Sequence, residues 1–157
     1  MQKIFPAARD YKTITVKMAP DKIAGIEKAI NAKLDDSEKK EFNFYDITAV
    51  VHGKPQQIGT IIALAGRGEY GVIEVVIGVD GTGKILGAYI QRSRERVTRA
   101  IDSPAFLQQF KGKTKDDGFD VGSAIKPPSA EAESASRVVA FVIKKMLVFY
   151  DVLSKGE

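Results

Sequence analysis

The spacing of hydrophobic positions divides the chain into helical and strand-like segments. Pro20 and Asp21 open a stretch in which apolar residues recur every three to four positions, at Ile23, Ile26, Ile30 and Leu34. This spacing predicts a helix over residues 19–34, with a proline and an acid in its first turn. The charged stretch 35–41 carries both signs, so it is interpreted as a linker between this helix and the next element.

From residue 42 the apolar positions take the shorter period that is typical of strands. Turn residues separate four such runs, which predict strands over 42–47, 58–65, 72–79 and 85–91. The glycine-rich connection before the last run spans only residues 80–84, which is far too short for a crossover between parallel strands. The sequence therefore predicts an antiparallel meander of about four or more strands.

The last third of the chain returns to helical spacing. Ser103 and Pro104 are an N-cap and a first helical residue, and Gly112 is expected to end that helix. A polar loop then leads to a long helix from about Ser129, whose apolar face is buried against the sheet and consists of Ala135, Val138, Val139, Val142, Ile143, Met146, Leu147, Tyr150 and Leu153. An antiparallel sheet with an N-terminal and a C-terminal helix packed on it is an α+β fold.

Length and composition indicate one globular domain over residues 1–157. Hydrophobic residues make up 44% of the chain and charged residues 28%, which disfavours fibrous and disordered classes. We divide the domain into a lead-in and helix (1–41), the meander (42–92), and an arginine-rich segment with the C-terminal helices (93–157). No apolar run is long enough to span a membrane.

The chain lacks the residues that several kinds of catalytic site require. The chain has no cysteine, which excludes disulfides, thiolate metal sites and cysteine nucleophiles. Its one histidine, His52, stands before Gly53 in a predicted turn, and one histidine cannot build a His-rich zinc site. We predict no catalytic residue and no metal site.

Arginines cluster once along the chain. Lys and Arg outnumber Asp and Glu by 24 to 20, a net charge of +4, and four arginines fall within eight positions at Arg92, Arg94, Arg96 and Arg99. Guanidinium groups suit phosphates and carboxylates. Anion or nucleic-acid binding through Arg92–Arg99 is therefore one alternative. No nucleic-acid partner is favoured, because the cations are interspersed with acids and no basic strand carries aromatic residues.

Two glycine-rich stretches resemble nucleotide-binding loops only in their letters. Residues 66–71 read G-R-G-E-Y-G, which matches G-x-G-x-x-G, but a strand and not a helix comes next. We interpret these glycines as a turn, or as a place where a ligand approaches the backbone closely. Residues 81–84, G-T-G-K, join two predicted strands and are interpreted as a hairpin turn.

The order of segments resembles a known family. The stretches 68–80 (GEYGVIEVVIGVD), 83–87 (GKILG) and 106–113 (FLQQFKGK), with I-F-P-A-A at residues 4–8, are together similar to the FMN-binding domain of Rnf- and Nqr-type flavoprotein subunits. The resemblance implies an α+β fold, FMN as cofactor, electron transfer and a redox partner protein or membrane redox complex. It also implies a periplasmic, extracytoplasmic location with a leader removed; a cytoplasmic location is the alternative.

The chain departs from the family pattern at the cofactor site. Family members carry S-G-A-T-x-S at the start of the last helix and join FMN to its threonine, but Glu133 stands at that position here. The family's H-x-E-T-P-G falls on residues 93–98, where only Glu95 is kept. The resemblance therefore assigns cofactor binding to Glu95, Glu133, Ser134 and Ser136, with any FMN bound noncovalently.

Charge at the start of the last helix bears on the same question. Glu131 and Glu133 fall in the first turn of the predicted helix, where a flavin phosphate would meet like charge. The arginine cluster could pair with these acids or hold a phosphate despite them. A cofactor-free interaction module of the same fold is the alternative to a flavoprotein.

Overall fold

The computed structural model of the chain describes residues 2–154, whose centre is one five-stranded antiparallel sheet. The strands follow the sheet in chain order, β1 (Asp10–Lys17), β2 (Glu41–Val51), β3 (Lys54–Gly68), β4 (Gly71–Val79) and β5 (Ile85–Arg92). The helices are α1 (Pro20–Ile30), α2 (Thr98–Ile101), α3 (Pro104–Leu107) and α4 (Glu133–Ser154), with short 3₁₀ helices at Asp36–Lys39 and Gln108–Phe110. The predicted α+β class and meander are confirmed.

Tight turns join the central strands, as the glycine positions predicted. His52 and Gly53 adopt φ angles of 52° and 78° between β2 and β3, which places His52 in a turn. The β4–β5 turn is held by the Asp80 carboxylate, which accepts from the backbone N–H groups of Thr82 (2.8 Å) and Lys84 (3.1 Å). The hairpin interpretation of residues 81–84 is confirmed.

Strand β1 was absent from the predicted order of elements, which began with a helix. Only its second half, residues 13–17, alternates polar and apolar, and its two aliphatic side chains, Ile14 and Val16, are both half-buried. Among the described residues β1 pairs with β2 alone, which makes it an edge strand. An edge strand with one weakly buried face carries too few apolar positions to be recognised by periodicity.

Helix α1 is shorter than predicted. It ends at Ile30, because Asn31 takes a left-handed conformation (φ 54°) and closes the C-terminus. Leu34 is nevertheless buried, since the chain turns back over the core. The predicted linker contains the 3₁₀ helix Asp36–Lys39, whose N-terminus is closed by a capping box between Asp35 and Glu38.

Helix α4 begins at Glu133 and not near Ser129. The residues before it form a turn in which the Ala132 N–H donates to the Ser129 carbonyl oxygen at 3.2 Å, and the first helical bond runs from Ser136 N–H to the Ala132 carbonyl oxygen at 2.8 Å. Glu131 therefore precedes the helix. The predicted burial of α4 against the sheet is confirmed by residues such as Val139, Ile143 and Phe149, all fully buried.

The sheet has a different cover on each face. Helices α1 and α4 pack on one face and enclose the main core, where the Phe42 and Phe149 rings meet at 4.7 Å. On the opposite face, Phe5 and its neighbours form a second, smaller core with Ile47, Ile61 and Val76. No helix within residues 2–154 has the length and apolarity needed to cross a membrane.

A buried ion pair ties α4 to the segment before β2. The Lys145 ammonium lies 2.8 Å from a Glu38 carboxylate oxygen, and the side chains are 10% and 9% exposed. Glu38 also accepts the Asp35 N–H at 2.9 Å. The pair fixes the segment before β2 on the middle of the long helix.

Candidate functional site

A cleft lies where the β3–β4 hairpin, the segment after β5 and the start of α4 meet. Its volume is about 290 Å³, and its lining is Glu69, Tyr70, Glu95, Arg96, Val97, Glu131, Ser134 and Ala135. Three of these eight residues are glutamates and one is an arginine. We call this the helix-start cleft.

The hairpin wall of the helix-start cleft is the stretch that matches G-x-G-x-x-G. Gly68 pairs with Gly71, so Glu69 and Tyr70 form a two-residue turn, and Gly71 has a φ of 126° that favours glycine. The interpretation as a turn is confirmed. Gly68 is needed for another reason, because a Cβ there would lie 2.8 Å from the Glu95 Oε1 atom.

The Glu95 carboxylate is hydrogen-bonded to the tip of this hairpin. Its carboxylate accepts the backbone N–H of Tyr70 at 2.7 Å and that of Glu69 at 3.2 Å, and the residue is 8% exposed. Both oxygens therefore have backbone partners. The arrangement fixes the hairpin tip and leaves the carboxylate committed to the protein's own backbone.

Hydroxyl groups lock the segment that carries Glu95. The Glu95 N–H donates to the Ser93 hydroxyl at 3.1 Å, and the Thr98 hydroxyl lies 2.7 Å from the same oxygen. Thr98 also lies within 2.6 Å of the Glu95 carbonyl oxygen. These local bonds explain why Glu95 occupies a defined position on a segment without regular secondary structure.

The four predicted cofactor residues take different positions around α4. Glu95 and Ser134 line the helix-start cleft, while Glu133 and Ser136 do not. The Glu133 carboxylate accepts from the Arg137 guanidinium at 2.7 Å, one turn further along the helix. Ser136 is fully buried, and its hydroxyl donates to the Ala132 carbonyl oxygen at 2.6 Å.

The arginine cluster does not supply the partner of Glu133. Arg92 bonds to Glu74 on the neighbouring strand, and this contact raises the pKa of the guanidinium above its ordinary value. Arg96 lies over the Tyr70 ring, with its guanidinium carbon 5.2 Å from the ring centre. Of the alternatives expected for the cluster, pairing with Glu133 is not seen, since Glu133 pairs with Arg137 on the same helix; pairing with Glu131 and the holding of a phosphate stay predictions.

The helix-start cleft does not fit the phosphate of FMN. Glu133 is the first residue of α4, Glu131 lines the approach, and Glu95 already uses both oxygens. A helix N-terminus attracts anions through about half a positive charge, but carboxylates in the same place compete for it. No hydroxyl stands at position 133 to form an ester.

A second and larger depression lies along the middle of α4. Its volume is about 480 Å³, and the residues 117–121 face Arg137, Phe141 and Lys144 across it. We call this the α4 groove. Sequence reasoning missed it, although one signal was present: these three residues follow one another at intervals of four and three, so they share a helix face that is not the apolar one.

Comparisons with known proteins add a likeness to solved structures. No family model matches the chain, and no curated protein matches it. Among solved structures, one subunit of the Na⁺-translocating NADH-quinone reductase from Parabacteroides distasonis is similar, with 18% identity and a TM-score of 0.46 over 87% of this chain and 92% of that one. The functional proposal for this chain therefore rests on its own residues.

Proposed function

We propose that this chain is a non-catalytic binding module with the architecture of an FMN-binding-type domain, and that its helix-start cleft holds no flavin. The observation that carries the proposal is the set of carboxylates at the start of α4. Glu133 heads the helix and is paired with Arg137, and Glu131 and Glu95 line the cleft beside it. A flavin cannot be joined by an ester at position 133, because glutamate has no hydroxyl there. A flavin held through its phosphate would meet the negative charge of the glutamates.

The role of Glu95 supports the same conclusion. Its carboxylate is bonded to two backbone N–H groups of the hairpin, at Glu69 and Tyr70, so its function is structural. Ser136 is equally committed, since its hydroxyl is buried and bonded within α4. Ser134 is the only one of the four predicted residues whose side chain is exposed beside the cleft.

Reversible FMN binding is the second candidate, and one observation favours it. The Tyr70 ring is 45% exposed at the rim of the helix-start cleft and could stack on a flavin ring. Such binding would also bring back the predicted electron-transfer role with a redox partner or membrane redox complex. That role, and a periplasmic location, stay predictions from the resemblance.

Two measurements test the proposal. Purified protein should be colourless, and its intact mass should equal the 17.1 kDa of the sequence. In an NMR titration with FMN, the amide signals of Glu69, Tyr70 and Ser134 should not move. A flavin adduct in the mass spectrum, or saturating shifts of those three signals, would overturn the proposal in favour of a flavoprotein.

A matched variant tests the reason. Glu131→Gln with Glu133→Thr removes two negative charges and supplies a hydroxyl at the head of α4. We expect FMN to shift the cleft signals in this variant but not in the parent protein. If neither protein responds, the carboxylates are not what excludes flavin, and the charge argument fails.

A further inference from the structure

We propose that the α4 groove is a binding site for a planar aromatic ligand that carries one anionic group, a carboxylate or a phosphate. The inference deepens the proposed function, because it names the class of ligand that the module would bind. It places that ligand outside the helix-start cleft, between the loop 117–121 and the face of α4 that carries Arg137, Phe141 and Lys144.

The apolar part of the α4 groove is aromatic. Phe141 is 40% exposed, and within residues 2–154 it is the one large hydrophobic side chain of α4 classed as exposed. Phe119 faces it from the loop, and its ring stacks on Phe110 at 6.2 Å with an interplanar angle of 21°. Lys113 and Lys144 also lie 5.5 Å from the Phe119 ring centre, and Lys145 lies 5.8 Å from that of Phe141. The exposed part of the Phe141 ring is therefore the surface on which a flat ring could pack.

Cations lie at both ends of this aromatic surface. The Arg137 side chain is 63% exposed and gives one bond to Glu133, and a guanidinium has five N–H donors, so others remain for a ligand. Lys144 lies 5.5 Å from the Phe119 ring centre, and it also donates to the Lys115 carbonyl oxygen. The guanidinium fork suits a carboxylate or phosphate.

Two acids, Asp117 and Asp120, line the α4 groove together with these cations. The Asp117 carboxylate accepts the Thr114 N–H at 2.8 Å, and this backbone bond holds the pKa of Asp117 below its usual value. The lowered pKa keeps Asp117 ionised, so its negative charge stays in the groove near Lys144. Asp120 also lines the groove, and its backbone carbonyl oxygen accepts from Ala124 and Ile125. The guanidinium of Arg137 is the charged group best placed to meet a ligand.

Hydrogen bonds fix the loop that forms one wall of the α4 groove. Besides the Thr114–Asp117 bond, the loop is held by the Lys113 ammonium, which donates to the Gly118 carbonyl oxygen at 2.9 Å, and by Gly122 N–H, which donates to the Ile125 carbonyl oxygen at 2.7 Å. A volume of about 480 Å³ lies within the usual range of small-molecule sites. Little ordering is then needed on binding, which favours affinity.

The test uses 2-naphthoate and its uncharged analogue 2-naphthylmethanol as probes, in NMR titrations of the full chain. We expect 2-naphthoate to give saturating shifts at Gly118, Phe119 and Phe141. The alcohol should bind about tenfold more weakly, since it lacks the charge that Arg137 recognises. Arg137→Gln should lower the naphthoate affinity by a similar factor and leave the alcohol unaffected.

Variants with intact folds keep the test decisive. Arg99→Gln makes the same change of charge at an exposed position outside the groove and should leave the naphthoate affinity unchanged. Phe141→Ala should weaken both probes. Equal binding of the two probes, equal effects of the two arginine variants, or shifts confined to Glu69 and Tyr70 would each overturn the inference, as would no shift at all. These readouts lie apart from the helix-start cleft, so they succeed or fail independently of the flavin test.

Discussion

Replacing Glu95 by alanine should weaken the fold through the tip of the β3–β4 hairpin. The carboxylate accepts the N–H groups of Tyr70 at 2.7 Å and Glu69 at 3.2 Å. A hydrogen bond to a charged group contributes about 1.5–3 kcal/mol, but both donors belong to exposed residues that water can reach once the carboxylate is gone. We therefore expect Glu95→Ala to lower the free energy of unfolding by about 2–3 kcal/mol in total.

A substitution at Gly68 tests the position of the Glu95 carboxylate directly. A Cβ at position 68 would lie 2.8 Å from Glu95 Oε1 and 3.0 Å from the Ile73 Cδ1 atom. Gly68→Ala should therefore cost about 1–3 kcal/mol in the parent protein, because a buried carboxylate bonded to the backbone has little room to move. In a Glu95→Ala background only the flexible end of Ile73 remains close. The double variant should therefore lose less unfolding free energy than the two single variants together, with a coupling of about 1 kcal/mol.

The assay is urea unfolding of the parent, the two single variants and the double variant, followed by circular dichroism. Equal slopes against urea would show that the compactness of the unfolded state is unchanged. If the loss in the double variant equals the sum of the two single losses within about 0.5 kcal/mol, the Glu95 carboxylate and position 68 are not in contact, and the account of how Glu95 holds the hairpin is wrong.

Three further predictions concern the rest of the fold. Lys145→Met should lower the free energy of unfolding by about 3–5 kcal/mol because it leaves the Glu38 carboxylate buried and unpaired, whereas adding Glu38→Gln should recover part of that loss in urea unfolding. Gly78→Ala should lower the melting temperature, since its Cβ would lie 2.5 Å from the Ile4 Cγ2 atom and 2.8 Å from the Phe5 Cε2 atom, and Ile4→Ala in the same chain should recover part of that loss. Partial burial acts to raise the pKa of Asp80, but hydrogen bonds from the Thr82 side chain and two backbone groups outweigh it and hold the pKa below its usual value. Asp80→Asn should therefore destabilise the protein by its full amount above about pH 4, and its difference from the parent protein should vanish as the pH falls through the folded pKa in acid titrations.

The sheet and its turns could be predicted from the sequence because their signals are local. Strands β3 and β4 carry long apolar runs, and glycines mark the turns at Gly53, Gly71 and Gly83, which all have positive φ. The long helix could be predicted because its apolar residues repeat over five turns. Boundaries were less secure: α1 ends where Asn31 takes a left-handed conformation, and no apolar spacing predicts that choice.

The candidate site was predictable only in part, because its geometry depends on contacts between distant residues. Glu95 was found through a motif, but its role depends on backbone groups 25 and 26 positions away, to which the sequence gives no pointer. Glu133 was placed near the head of the helix, but its pairing with Arg137 follows from the helix beginning at Glu133 itself. The α4 groove requires the loop 117–121 to fold back, which no periodicity indicates.

The magnitudes of charge effects at the start of α4 bear on whether a flavin phosphate would bind in the helix-start cleft. A helix N-terminus stabilises a nearby anion by about 0.3–1 kcal/mol at an exposed site and by about 2 kcal/mol at most. Two unit charges 4 Å apart in water repel by about 1 kcal/mol, and a dianionic phosphate doubles that figure for each carboxylate it approaches. Glu69 and Glu131 line the helix-start cleft and oppose the helix term, whereas Arg96 in the same lining supports it and Glu133 is paired with Arg137. The lining of the α4 groove has two cations, Arg137 and Lys144, against two acids, Asp117 and Asp120, whereas that of the helix-start cleft has one arginine against three glutamates. An anionic ligand therefore meets less repulsion in the α4 groove than in the helix-start cleft.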